Sequence, residues 1–326
     1  MRPNDRLAAQ SAPASEKIPK QAGGASPFAG WISRLRGMCR QILDQNSFDL
    51  LCRITLLFVV VHPPSRLGFA WYQFVITIFL ALWALAYPPL LRKPAFWFGL
   101  AALRFVRVNL GDWAYTNNHD WLLTYWCLAI GCSLRLPDPN AALAANGRWM
   151  LRLVFIFATA WKLTSPEYLD GRVNEFLLYS DPRFSAMARV LGDFSFDVSG
   201  FDAQLLTRMD GLQESIPLRE DRWYPVLARM FAYWTIGIEG AIALLLLFPR
   251  NHKLAIWGDV ALLAFIATTY CWINVFGLAW MLVLMELAQC PLKYRKLRFA
   301  SLLMLPYAFT FGNSDLKTLI FRLLAQ

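Results

Sequence analysis

The sequence predicts an all-α fold, a polytopic bundle of eight or nine transmembrane helices. Three observations predict it. The 326 residues are 57% hydrophobic and 15% aromatic. Only 17% are charged, against about a quarter in an ordinary soluble domain. Apolar stretches near the length needed to cross a bilayer, about 20 residues, recur along the chain. A β-barrel would show short alternating strands, whereas these runs are continuous.

Residues 1–46 are of another kind. "AAQSAPASEKIPKQAGGASP" is small, polar and rich in Ala, Ser, Gly and Pro. Such a segment has too little apolar surface to offset the entropy of ordering, and a largely disordered tail is expected. No apolar h-region follows the first basic residues, so the segment does not read as a secretory signal. "WISRLRGMCRQIL", from Trp31, reads either as a basic amphipathic helix on the membrane surface or as a lead-in to the first span.

The transmembrane domain is expected over 47–313. Its spans read as 48–62, 68–91, 95–111, 120–135, 149–163, 224–248, 254–273, 275–290 and 299–313. The seventh and eighth are also readable as one bent element. Between the fifth and sixth lies an extracytoplasmic segment, 164–222, too long and mixed for a turn. "VNEFLLYS" and "AMARVLGDF" within it suggest short interfacial helices, and long connections of this kind are often functional. Residues 314–326 form a short C-terminal tail.

Charge orients the bundle. Five basic clusters precede the first span, follow the second, bracket the fourth-to-fifth connection (Arg135, Arg148, Arg152), follow the sixth and follow the eighth. All fall on one side if the N-terminus is cytoplasmic, which leaves the C-terminus outside. The net charge of +10 therefore reads as membrane orientation, and a nucleic-acid partner is not expected. The six cysteines, Cys39, Cys52, Cys127, Cys132, Cys271 and Cys290, contain no CxxC pair. They read as buried or lipid-facing thiols. With only His62, His119 and His252 present, no multi-histidine metal site is expected.

Some polar groups lie where apolar ones are cheaper. Lys162 ends the fifth span and His119 opens the fourth. The topology places both near the outer side, on consecutive helices that usually pack together. Desolvation favours a neutral amine, which is a base, and a nearby imidazole can accept, donate or orient a proton. The alternative is a snorkelling lysine and a helix-capping histidine. Arg104 and Arg107 share a helix face, and Glu239, Asp259 and Glu286 also fall inside spans. Such groups usually face a bundle interior or a partner. Glu239 has Arg229, Arg104 or Arg107 as candidate partners, with no choice among them.

These residues carry a resemblance. "NNHDWL" at 117–122, followed by an apolar run ending in "WKLTSPEYLDG", resembles the membrane part of vitamin K-dependent gamma-glutamyl carboxylase. It is also similar to the wider set of horizontally transferred transmembrane (HTTM) proteins. The match spans about 48–291. It pairs Asn118, His119, Lys162, Leu163, Tyr168, Asp170 and Gly171 with the family's motif positions. Arg148 falls at its basic position and Glu239 at its acid before a leucine-rich run.

The resemblance implies a carboxylase acting on the extracytoplasmic side. Lys162 would be the base that deprotonates reduced vitamin K or menaquinol, and His119 its helper. Asn118, Arg148, Glu239 and Tyr168 would support them. Carbon dioxide and dioxygen would be co-substrates, a secreted peptide or protein the substrate, and no metal is implied. Two departures stand against it. The family's Phe-His-x-x-Asn stretch has no histidine in "FIATTYCWINVFGLAWM", and the carboxylase's large lumenal domain has no counterpart. A second reading is a non-enzymatic HTTM-like accessory protein for maturation of, or immunity to, a secreted peptide. A transporter ranks last, because no internal repeat is evident.

Overall fold

The computed structural model of the chain describes residues 47–62, 71–110, 117–184, 224–270, 273 and 275–312. The N-terminal tail with its amphipathic segment, the "AMARVLGDF" helix and the C-terminal tail lie outside these residues. So do Cys39 and Cys271.

The described residues are all-helical, with no strand. The helices are α1 Ser47–Val61, α2 Trp71–Ala86, α3 Pro94–Leu110, α4 Asn118–Ser133, α5 Pro139–Thr164, α6 Pro166–Leu169, α7 Arg172–Ser180, α8 Tyr224–Leu247, α9 Ala255–Thr269, α10 Phe276–Gln289 and α11 Arg295–Gly312. Short 3-10 turns occupy Pro88–Arg92 and Pro182–Phe184. Proline begins α3, α5 and α6 and stands second in α8, positions where its missing N–H costs nothing.

Each of the nine expected apolar segments contains one long helix, with two displaced boundaries. The second segment, expected to run to 91, ends as α-helix at Ala86, because Pro88 and Pro89 cannot donate into it. The fifth, expected from 149, begins at Pro139. Asp138 caps it, accepting from Ala141 N at 3.0 Å, which satisfies an otherwise orphaned first-turn N–H. Arg148 therefore sits inside a helix rather than in a connection. The seventh and eighth segments are two helices, α9 and α10.

Two helices, Pro139–Thr164 and Pro225–Leu247, are long and apolar enough to cross a membrane. Tyr72–Ala86, Ala255–Thr269 and Phe276–Gln289 are apolar but shorter.

Helix α10 forms the centre. Eleven of its residues are buried, from Gly277 to Gln289, as expected for a helix apolar on every side. It packs against α1, α4, α5 and α11. Helix α5 packs between α10 and α8, and α8 in turn meets α7 and α9. Two indoles pin the α1–α4 side of this core. Trp126 Nε1 donates to Thr55 Oγ1 at 2.9 Å, and Trp97 Nε1 donates to Leu91 O at 2.9 Å. Helix α2 is the opposite case: Val75, Ile76, Phe79, Leu82 and Trp83 all face outward.

Candidate functional site

The segment "WKLTSPEYLDG" folds back on itself after α5. Pro166 starts the single turn α6, and Gly171 then adopts φ +89° as the N-cap of α7. A side chain there would be strained and would also meet Arg229 Cγ at 2.9 Å. Arg229 Nε, on α8, donates to Asp170 O at 3.1 Å. Asn174 Nδ2 donates to Ala228 O at 3.3 Å. The fold-back is thus tied to the first turns of α8, and Tyr168 comes to rest over the end of α5.

There Lys162 Nζ forms an ion-paired hydrogen bond with Glu239 Oε2. The two side chains are 12% and 8% exposed. A snorkelling lysine keeps its ammonium in water, so these numbers exclude that description. The ammonium also lies 5.4 Å from the centre of the Tyr168 ring. Tyr168 Oη and Thr235 Oγ1 share a hydrogen bond of 2.7 Å. Thr235 precedes Glu239 by one helical turn on the same face of α8. Burial pushes the Tyr168 phenol above its ordinary value, so the group stays a neutral hydroxyl.

The pairing of Glu239 corrects the sequence expectation. None of Arg229, Arg104 and Arg107 is its partner. Arg229 serves the Asp170 carbonyl, and Arg104 Nη2 pairs with Asp120 Oδ1 at 2.8 Å. The reason is packing: α5 and α8 lie side by side, and Lys162 is the cation on the face that α8 covers.

His119 belongs to a second group. It is 6% exposed, in the first turn of α4. The N-cap is Asn117, without a side-chain bond, so His119 does not cap the helix. Its ring lies 4.7 Å from that of His62, centre to centre. His119 Nε2 lies 4.0 Å from Asp120 Oδ2. Asn118 is exposed. Among the described residues, the ion pair, hydrogen bond and ring contact of Lys162 reach Glu239 and Tyr168; none reaches His119.

Arg148 lies elsewhere again. It precedes Lys162 on α5 by 14 positions, about 21 Å along the axis at 1.5 Å per residue. Its Nη2 donates to Leu246 O at 3.0 Å and also to Phe248 O. Arg152 Nε donates to Leu246 O at 2.8 Å. Two guanidiniums thus satisfy the C-terminal carbonyls of α8, where the helix dipole also favours positive charge. Beside them, Arg250 Nη1 donates to Asp259 Oδ1 and Oδ2 at 2.8 and 2.6 Å. Gln289 Nε2 joins Asp259 Oδ1 to Glu286 Oε2 at 3.0 and 2.6 Å. Cys290 Sγ lies within 4.8 Å of ligand atoms of both acids.

Of the residues expected to act together, the structure gathers Lys162, Glu239 and Tyr168. His119 joins His62, Asp120 and Arg104, and Arg148 joins the opposite end of α8. Sequence reasoning missed Thr235, Asn174 and His62 as site residues. Thr235 was findable from its four-residue spacing to Glu239. His62 stands before two prolines and reads as the mere end of a span. Comparison with protein families, with curated proteins and with solved structures finds no match for this chain.

Proposed function

We propose that the chain is a polytopic membrane protein of the gamma-carboxylase-like HTTM kind, with a proton-accepting site at the extracytoplasmic side. The buried Lys162–Glu239 pair under Tyr168 carries this reading. Two ionised groups withdrawn from water cost several kcal/mol each before their attraction is counted, and anchoring at a headgroup does not require it. The large apolar side chains exposed on the helices, among them Phe79, Phe157, Trp161, Met230, Leu244 and Trp257, suit a bundle in lipid. The proposed orientation keeps the N-terminus cytoplasmic and the C-terminus outside, with eight or nine spans.

For Lys162 to act as a base, its proton would first pass by way of Glu239 to solvent. The free amine would then take one proton from an acidic hydroxyl, leaving the oxyanion. The Glu239 carboxylate and the Tyr168 ring face would stabilise the ammonium so formed. Reduced vitamin K or menaquinol would offer such a hydroxyl and, with dioxygen, would supply the strong base for carboxylating a glutamate of a secreted peptide with carbon dioxide. The residues of this chain bind and orient the hydroxyl and move its proton.

An accessory, non-enzymatic role is the second reading, and one observation favours it. The same pair ties α5 to α8, the two helices long enough to cross a membrane, so a clamp explains it too. The test uses the full chain in nanodiscs. Quinol-dependent oxygen uptake and protection of Lys162 from amine-modifying reagents by menaquinol or vitamin K hydroquinone are measured together. Uptake and protection that vanish in Lys162→Ala, with helix content retained, support the enzyme. No uptake and no protection in the wild-type chain leave the clamp.

A further inference from the structure

Two imidazoles converge where no side chain separates them. His62 follows α1, His119 opens α4, and Gly277 is the second residue of α10. A Cβ placed on Gly277 would lie 2.5 Å from His119 Nε2 and 2.6 Å from His62 Nε2. Both nitrogens are thus near one point, and no farther from each other than those two distances end to end. His119 Nε2 is buried and has no hydrogen-bond partner among the described residues.

Aromatic rings flank His62. Phe58 meets His62 edge-on at 4.9 Å, and Phe276 stacks on it at 5.8 Å. Two imidazole nitrogens facing each other in such a place repel if both present lone pairs, and a buried nitrogen left unsatisfied is destabilising. A shared cation removes both penalties. A third donor stands beside them: Asp120 Oδ2, 4.0 Å from His119 Nε2. Arg104 occupies the other carboxylate oxygen at 2.8 Å, which fixes the orientation of Asp120 as outer partners of metal ligands do.

We propose that His62, His119 and Asp120 form a binding site for a divalent first-row transition metal, such as iron(II) or zinc. Imidazole nitrogen with one carboxylate is a donor set for these ions, with bonds of about 2.0–2.2 Å and coordination positions left open. The donors stand farther apart than bound ligands do, His119 Nε2 lying 4.0 Å from Asp120 Oδ2, so metal binding would draw the side chains together. The Arg104 guanidinium opposes a cation nearby, so the ion is exchangeable rather than structural. The proposal is independent of the lysine chemistry above.

The test is direct. The full chain, purified in detergent and stripped with chelator, is titrated with Co2+ by visible absorption and with Zn2+ against a chromogenic chelator. One ion per chain is expected. His62→Ala and His119→Ala should each weaken binding by about ten-fold or more, the scale of losing a supporting or ligating group. Gly277→Ala should do so too, since its methyl pushes the rings aside without removing a ligand. Wild-type protein loaded with Cu2+ gives a readout that needs no variant: its electron paramagnetic resonance should show coupling to imidazole nitrogens. Absence of stoichiometric binding, absence of nitrogen coupling, or binding that survives both histidine substitutions overturns the proposal. So does binding that instead follows Asp259→Asn and Cys290→Ser at the other buried cluster.

Discussion

The two ionic centres on α8 and its neighbours are built in opposite ways. Around Arg250, the central pair has several partners: Asp259 receives two guanidinium bonds and one amide bond, and Arg250 also donates to Gln289 O. Lys162 and Glu239 have essentially each other, with a tyrosine ring alongside. A charge held from many directions is fixed in place. A charge held by one partner is free to hand over a proton when a third group arrives. Buried polar networks with many mutual bonds specify structure, whereas a sparsely partnered pair leaves room for a third group.

Breaking the Arg250 network should have the largest effect. Arg250→Ala strands the Asp259 carboxylate, which is 0% exposed, with Gln289 as its remaining donor. The expected loss is about 3–5 kcal/mol, read as a lowered midpoint of unfolding in denaturing detergent. A midpoint equal to wild type would show that the network contributes nothing to the fold.

Removing one member of the sparse pair should cost less, about 2 kcal/mol for Glu239→Ala, since both groups retain slight exposure. The sharper experiment removes both. Lys162→Met with Glu239→Leu replaces two charges by apolar groups of similar bulk, and stability should return to wild type or above. If the pair is only a clamp, that double variant should keep every cellular role. If the pair moves protons, the variant should be stable and inactive. A double variant as unstable as Glu239→Ala would show that Lys162 contributes more through its packing than through its charge.

The apolar runs made the helices legible, because continuous apolar stretches longer than about ten residues are too long for most strands. The two boundaries most displaced from expectation, Ala86 and Pro139, are the ones that proline and a capping acid mark, because the limits were drawn from apolarity and neither end of a helix has to coincide with the end of an apolar run. Arg148 misled because a buried arginine reads as a loop residue until the helix end that it caps is known. Lys162 and Glu239 were each visible as misplaced charges, yet 77 residues separate them and sequence gave three other cations a claim on the acid. His62 was invisible for a related reason: its meaning depends on Gly277, which matters for what it lacks. Pattern reveals what a residue costs where it stands, and only the packed helices reveal what it meets there.

A smaller effect tests the fold-back over Lys162. Gly171→Ala places a side chain at φ +89° against Arg229, which should cost about 1–2 kcal/mol. It should also raise the reactivity of the Lys162 amine, because α6 and α7 no longer seat properly. Unchanged stability and reactivity together would mean that the turn is not what holds Tyr168.

The smallest effect separates the hydroxyl of Tyr168 from its ring. Tyr168→Phe loses the 2.7 Å bond to Thr235, at about 1 kcal/mol. It keeps an aromatic face beside the ammonium, so modification of Lys162 by an amine reagent should stay slow. Tyr168→Leu loses the same bond and also the ring face, whose attraction for a desolvated cation is about 1–2 kcal/mol, so its deficit in stability should be the larger of the two. Lys162 should then react several-fold faster in Tyr168→Leu than in Tyr168→Phe. Equal rates in the two variants would assign the tyrosine to the fold-back alone and leave Glu239 as the sole group that governs the lysine.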